Sequence, residues 1–216
     1  MTINEAMKNR HAVRNYEDRE IEESAILALT EEISRCNQEG ELSIQLITKD
    51  QDTFKGLTAS FGGFRGVSNY IALVGNCSDE LEEKLGYYGE RLALKAQQLG
   101  LNTCWVAVTY KKKVCKAVIN ENQELLCVLT LGYGKTQGNP HKSKPMDQLC
   151  KVPRAMPEWF KKGMEAVMLA PTAMNKQDFL VELVGDDVKF EGKEGKYRKV
   201  NLGIIKYHFE VGAERV

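Results

Sequence analysis

The chain lacks the pairings that mark metal sites and disulfide scaffolds. Its six cysteines, Cys36, Cys77, Cys104, Cys115, Cys127 and Cys150, stand singly with no C-x-x-C spacing. The three histidines, His11, His141 and His208, are scattered. No zinc pattern forms, no metal is expected, and reduced thiols in a cytoplasmic protein are the simplest reading. The chain also has no surplus of charge: Lys+Arg is 30 against Asp+Glu 30, a net of +0. No global field favours nucleic acid or an anionic membrane, so neither is expected as a partner and any anion site must be local. Apolar runs such as residues 127–131 are only strand-sized, too short for a membrane-spanning helix. Residues 1–8 lack the apolar region of a signal peptide, and none is expected. A P-loop is missing too. Gly134-Lys135-Thr136 mimics its end, but the glycine needed five positions earlier is Leu129.

What is present is globular: 216 residues, 43% hydrophobic and 28% charged. That length fits one large domain or two small ones with a sizeable core. The pattern is organised around residues 168–177, Met-Leu-Ala-Pro-Thr-Ala-Met-Asn-Lys-Gln. An apolar helical pattern over residues 156–168 runs into Pro171, which lacks an N–H and disfavours a helical Ala170. Thr172, Asn175 and Gln177 follow, then a strand pattern over residues 179–184. A polar elbow is thus set between a core helix and a core strand. Its side chains donate and accept hydrogen bonds, which suits a planar heterocycle or a sugar-alcohol tail. Taken alone, the same residues also suit an ordinary helix-stop loop.

Near the amino terminus, Thr2 and Glu5 form a capping-box pattern opening a short helix. It leads into Lys8, Arg10, His11 and Arg14, a cationic cluster at a helix end. Arg10 and Arg14 are fork-shaped donors of the kind that grip phosphate, though a solvated basic helix end reads the same way. Further helices are expected over residues 21–33, ending at residues 37–40, over residues 81–99 with small Gly89 and Ala93 on one side, and over residues 200–211. Strands are expected at residues 42–47, 70–74, 102–108 and 127–131. Lys111, Lys112, Lys113 and Lys116 read as the start of a helix with a solvated face. Residues 186–197 read as charged and turn-rich. The order helix, polar elbow, strand, glycine-bearing helix occurs twice, from residue 21 and again from residue 156. That echo suggests a pseudo-twofold, with a first half of about residues 1–150 and a shorter second half of about 151–216 inside one domain.

Four stretches together resemble the FMN-dependent nitroreductases. Residues 10–16, Arg-His-Ala-Val-Arg-Asn-Tyr, resemble the Arg-[Arg/His]-Ser-x-Arg-x-[Phe/Tyr] phosphate signature of that family. Residues 170–177 resemble its Ala-Pro-Ser-x-x-Asn-x-Gln flavin segment, residues 99–105 its Leu-Gly-Leu-Gly-Thr-Cys-Trp turn, and residues 132–134 its Gly-Tyr-Pro loop. Three departures matter: Ala107-Val108 stands for Gly-Gly, Asp178 for proline and Ala12 for serine.

The resemblance implies an α+β nitroreductase-like fold, a central mixed or antiparallel sheet flanked by helices, in the shorter, internally duplicated subgroup. One chain would then act as a monomeric pseudo-dimer, or as a homodimer. It implies FMN held at its phosphate by Arg10, His11 and Arg14 with Lys142 or Lys144. A phosphate monoester carries roughly −1.5 to −2 charges near neutral pH, so several cations suit it. Pro171, Thr172, Ala173, Asn175 and Gln177 would line the ribityl chain and ring, and the backbone at Ala107 and Val108 would face the ring edge. The implied activity is transfer of electrons from NADH or NADPH to a nitroaromatic or quinone-like small molecule, with no catalytic acid–base side chain. The alternative is a non-catalytic flavin-binding carrier or sensor.

Overall fold

The computed structural model describes residues 1–153 and 155–215. The main sheet forms where the sequence is most continuously apolar. Strand β2 (Asn69–Asn76) is buried at every position but its last. Strand β4 (Gln123–Gly132) lies antiparallel beside it, with β1 (Gln45–Ile47) outside β2 and β3 (Asn102–Val106) outside β4, all antiparallel. A strand covered on both faces reads as an unbroken apolar run rather than an alternation. Here Ile71, Leu73 and Leu129 pack under helices α2 (Glu23–Gly40) and α4 (Leu81–Gln98). On the opposite face Tyr70, Ala72, Val74 and Val128 pack against Phe54, Phe64 and Tyr110. Two short helices, α1 (Ile3–Asn9) and α3 (Leu57–Phe61), flank this body.

A second, mixed sheet has the order β5 (Cys150–Lys151), β6 (Phe179–Val184), β7 (Asp187–Gly192), with β5 parallel and β7 antiparallel to β6. It is closed by helices α5 (Glu158–Val167) and α6 (Arg198–Gly212) through Phe160, Val181, Leu183, Ile205 and Phe209. The chain is therefore α+β, as expected, with its large sheet wholly antiparallel and its small one mixed.

The two parts are locked by a reciprocal helix crossing. Gly86 of α4 lies against the Val200 carbonyl, and Gly203 of α6 lies against the Glu83 carbonyl; a Cβ at either position would collide with backbone. The sequence singled out Gly89 for close approach, and its absent Cβ makes room for the Trp105 ring.

Several elements differ from the sequence pattern for physical reasons. Both halves of the Thr2–Glu5 capping box form. Helix α2, however, continues through Asn37 and Gln38 and ends only where Glu41 turns left-handed at φ 55. From inside the helix the Asn37 amide exchanges two hydrogen bonds with the Ile44 backbone (2.9 and 2.7 Å), so no elbow exists there. The strand expected at residues 42–47 keeps only its last three residues. The lysine segment opens no long helix, only a single turn at Lys112–Val114. The N–H of Lys111 is drawn to the Thr53 carbonyl (2.9 Å) and that of Lys116 to the Tyr70 hydroxyl (3.1 Å), so neighbouring chain takes what a helix would use. Residues 186–197 hold β7, where half-buried Val188 and Phe190 alternate with exposed charged residues.

Substituting Gly203 with alanine forces a methyl group into the α4 backbone. Denaturant unfolding of Gly203→Ala is expected to show a loss of about 2 kcal/mol or more, the scale of overpacking in a tight core.

Candidate functional site

The cationic stretch is placed by the edge of β3. Helix α1 stops because Arg10 is extended, with φ −72 and ψ 113. The following chain runs alongside the strand: Ala12 bridges Thr103 in parallel, and the Val13 N–H donates to the Thr103 carbonyl (3.1 Å). Tyr16 pins the end, its buried hydroxyl donating to the Val13 carbonyl (2.7 Å) and meeting the Thr130 hydroxyl (2.7 Å). The segment buries Val13 and Tyr16 and leaves Arg14 exposed, beside the Phe64 ring at 5.9 Å and without an ion pair among the described residues.

The opposite wall is the elbow after α5. Met174, Asn175 and Gln177 all carry left-handed φ values, 53, 53 and 50. Each costs a residue with a Cβ on the order of 1–2 kcal/mol, so the turn needs bracing. The Thr172 hydroxyl oxygen accepts from the Gln177 N–H (3.0 Å), and the Asn201 side-chain oxygen accepts from the Ala173 N–H (3.0 Å). The Asn175 and Gln177 amides both donate to the Lys142 carbonyl, at 3.0 and 2.9 Å.

Between these walls lies a cavity of about 610 Å³. Arg10, His11 and Arg14 line one side, Pro171, Thr172, Ala173 and Asn175 another, and Ala107 and Val108 a third, with apolar surface from Trp105, Leu126, Val200 and Ile204. Three of the sequence candidates are not among its lining residues. Gln177 is buried, and its amide also accepts from the Lys144 N–H (2.8 Å). Lys144 turns its ammonium to the Lys176 carbonyl (2.6 Å) and the Asp178 carboxylate (3.4 Å). Lys142 is exposed and contributes its carbonyl to the elbow. The polar groups of these three brace the elbow: a backbone bent against its preference takes the polar groups nearest to it.

Beneath the cationic wall is a feature that the sequence reading missed. Glu90 of α4 is fully buried and accepts from the Trp105 indole N–H (2.9 Å). Its other oxygen lies 3.0 Å from His208 Nε2 and 3.3 Å from Arg10 Nε. His208 in turn places Nδ1 at 3.0 Å from the Ala166 carbonyl. Burial alone would raise the Glu90 carboxyl, but the Arg10 charge and the bonds from His208 and Trp105 outweigh it and hold it below the usual carboxylate value. The Arg10–Glu90 contact is an ion pair without hydrogen-bond geometry, so the buried Arg10 Nε–H has no acceptor among the described residues. A signal was available: Glu90 shares a helix face with Gly86, Ala93 and Gln97, all buried, and a carboxylate in a buried stripe requires partners.

The two histidines on the cavity wall favour the neutral form. Burial pushes His11 below its ordinary value, helped by the Arg10 charge, and burial does the same to His141. His141 faces the Met168 carbonyl at 3.1 Å. Lone N–H donors rather than imidazolium groups therefore flank Arg10 and Arg14 at neutral pH.

The buried carboxylate gives a pH signature. Glu90→Gln leaves Arg10 charged and uncompensated, so unfolding is expected to show a loss of about 3 kcal/mol near neutral pH. A depressed carboxyl contributes its stability above the ordinary value of 4.5 and loses it as pH falls through the lower folded value. The gap between wild type and variant should accordingly be full above pH 4.5 and shrink below it, in urea titrations run at a series of pH values.

The chain matches the family described as "Putative TM nitroreductase" over residues 2–213. No curated protein sequence matches. Among solved structures it is similar to one described as a "putative nitroreductase" from Thermotoga maritima, at 24% identity and TM-score 0.63, covering 98% of this chain and 83% of that one. It is also similar to a "putative nitroreductase in complex with FMN" from Desulfovibrio desulfuricans, at 16% identity and TM-score 0.57, covering 71% and 98%. A third is a nitroreductase family protein from Streptococcus pneumoniae, at 13% identity and TM-score 0.55, covering 69% and 99%. At these identities the structures establish the shared nitroreductase fold. The family match spans nearly the whole length, and the chain belongs to this nitroreductase family.

Proposed function

We propose that the protein is an FMN-dependent oxidoreductase that takes electrons from NADH or NADPH and passes them to a small nitroaromatic or quinone-like acceptor. The observation that carries this reading is the meeting of residues 10–14 and residues 171–175, from opposite ends of the chain, on one cavity. The relative described as binding FMN shares the fold.

The residues fit such a group. The volume lies in the range of cofactor sites, about 300–1,000 Å³. Among the described residues Arg14 has no ion pair, and Arg10 brings a buried N–H without an acceptor. Their forks suit a phosphate, with His11 adding a neutral donor. Thr172 accepts through its oxygen and keeps its own hydrogen to donate toward a ribityl hydroxyl. Trp105, Leu126, Val200 and Ile204 supply an apolar bed for a ring system. The Ala107 and Val108 N–H groups donate to no backbone carbonyl among the described residues, which leaves them free for a ring edge.

FMN bound there would supply two-electron chemistry, accepting hydride from reduced nicotinamide and delivering electrons to the second substrate. The chain's part is positioning. The cations hold the phosphate, the braced elbow fixes the tail, and the apolar walls exclude water from the ring. The mouth stays open, since Val108 and Met174 are 65% and 78% exposed. No acid or base from the chain is assigned to the transfer. Both walls come from one polypeptide, so a monomer built as a pseudo-dimer is the assembly we infer, in a cytoplasmic protein.

Loaded with FMN, the protein should be yellow, and its absorbance should bleach anaerobically with NADH or NADPH. A yellow protein that reduced nicotinamide leaves unbleached would make it a carrier or sensor instead. Arg14→Ala should weaken FMN binding by roughly ten- to a hundredfold, the worth of one charge-assisted hydrogen bond, measured by fluorescence titration. Unchanged affinity would remove Arg14 from the site.

A further inference from the structure

The balance of charge over the whole chain conceals a local excess. Residues 53–68 and 106–120 hold Lys55, Arg65, Lys111, Lys112, Lys113 and Lys116 and not one carboxylate; of these, Lys55 is paired with Asp52 just before the first segment (3.1 Å). The two segments form one body. The Lys111 N–H donates to the Thr53 carbonyl (2.9 Å), Phe54 stacks on Tyr110 with ring centroids 6.0 Å apart, and the open face of Gly62 abuts the Thr109 side chain. Lys111 to Lys113 and Lys116 are all exposed, and none has an ion pair among the described residues.

The same body carries most of the large apolar side chains that the fold leaves in solvent. Leu57 and Phe61 stand one turn apart on α3, 90% and 92% exposed. Val108 and Val114 add to them at 65% and 46%; Val118 and Ile119, 66% and 44% exposed, lie by β1, where the Gln45 side chain holds the Val118 backbone (2.9 and 2.7 Å). Such side chains beside lysines are the composition of surfaces that insert into a headgroup layer, where apolar burial and attraction to anionic lipid act together.

We propose that this tip, centred on Leu57 and Phe61, docks the protein reversibly on an anionic lipid bilayer. Charge complementarity selects the occupant. A second copy of the chain meeting the tip through a twofold would bring its lysines against their own copies. Nucleic acid would use the lysines and the Phe61 ring, but would leave the aliphatic Leu57, Val108 and Val114 unburied. A bilayer uses both halves of the composition. The cavity opens beside the tip, since Gly62, Phe64, Val108 and Thr109 line it, so the docked protein would present its cavity close to the lipid. The proposal needs no cofactor and stands independently of the flavin reading.

The test is co-sedimentation of the full chain with phosphatidylcholine vesicles, with and without phosphatidylserine. The expected result is binding to the anionic vesicles alone, falling as salt rises. Leu57→Ser/Phe61→Ser and, separately, Lys111→Glu/Lys112→Glu/Lys113→Glu should each weaken it by about tenfold or more. Unchanged circular dichroism and melting temperature would show that both variants stay folded, as their exposure leads one to expect. Failure of the wild type to bind anionic vesicles would overturn the proposal, as would wild-type binding by both variants. A dimer that Leu57→Ser/Phe61→Ser converts to monomer would assign the tip to a second copy. Tighter binding of a short single-stranded RNA than of the vesicles would assign it to nucleic acid.

Discussion

One buried carboxylate ties together the parts that make the cavity. Glu90 sits on α4, yet its two oxygens reach the Trp105 indole on β3, the His208 ring on α6 and the Arg10 guanidinium just past α1. An ionised group with no exposure persists only when its partners outweigh the cost of desolvation. Each partner here also shapes the site: Arg10 and Trp105 are cavity wall, and His208 belongs to the helix that carries Val200, Asn201 and Ile204. The glycine crossing of α4 and α6 makes this convergence possible, because backbone contact at Gly86 and Gly203 brings the helices close enough for His208 to reach Glu90.

Architecture and chemistry use the residues of the elbow differently. Its backbone is bent into left-handed conformations that its residues disfavour, and the Asn175 and Gln177 amides go largely to holding that bend against the loop at Lys142. What the elbow then offers the cavity is Pro171, Thr172, Ala173, Met174 and part of Asn175. A polar side chain in a sequence motif can thus serve its site indirectly, by fixing the backbone that presents its neighbours.

Much of this was legible from residue patterns. The Pro171 stop, the strand after it and the capping box at Thr2 follow from local rules, and Arg10, Arg14 and Thr172 reach the cavity that their chemistry suggested. Other features depended on contacts between distant segments, which local pattern does not carry. Asn37 remained in its helix because Ile44 supplied its partners. Lys144 was drawn from the cavity by carbonyls at Lys176 and Gln177. Glu90 went unread because its partners lie far from it in the sequence, and the lysines at 111–113 gained meaning only once Leu57 and Phe61 stood beside them. Even the β7 strand was visible in principle, in the alternation of Val188 and Phe190, but a high density of charge masked it.

On our proposal the cationic wall reads a phosphate while the elbow and apolar walls hold a ring and its tail. Titration of the purified protein with FMN and with riboflavin, which lacks only the phosphate, tests it most directly. FMN is expected to bind at least tenfold more tightly, the scale of one or more charge-assisted contacts, with the gap narrowing as salt rises. Equal affinity for the two flavins, or no binding of either, would contradict it.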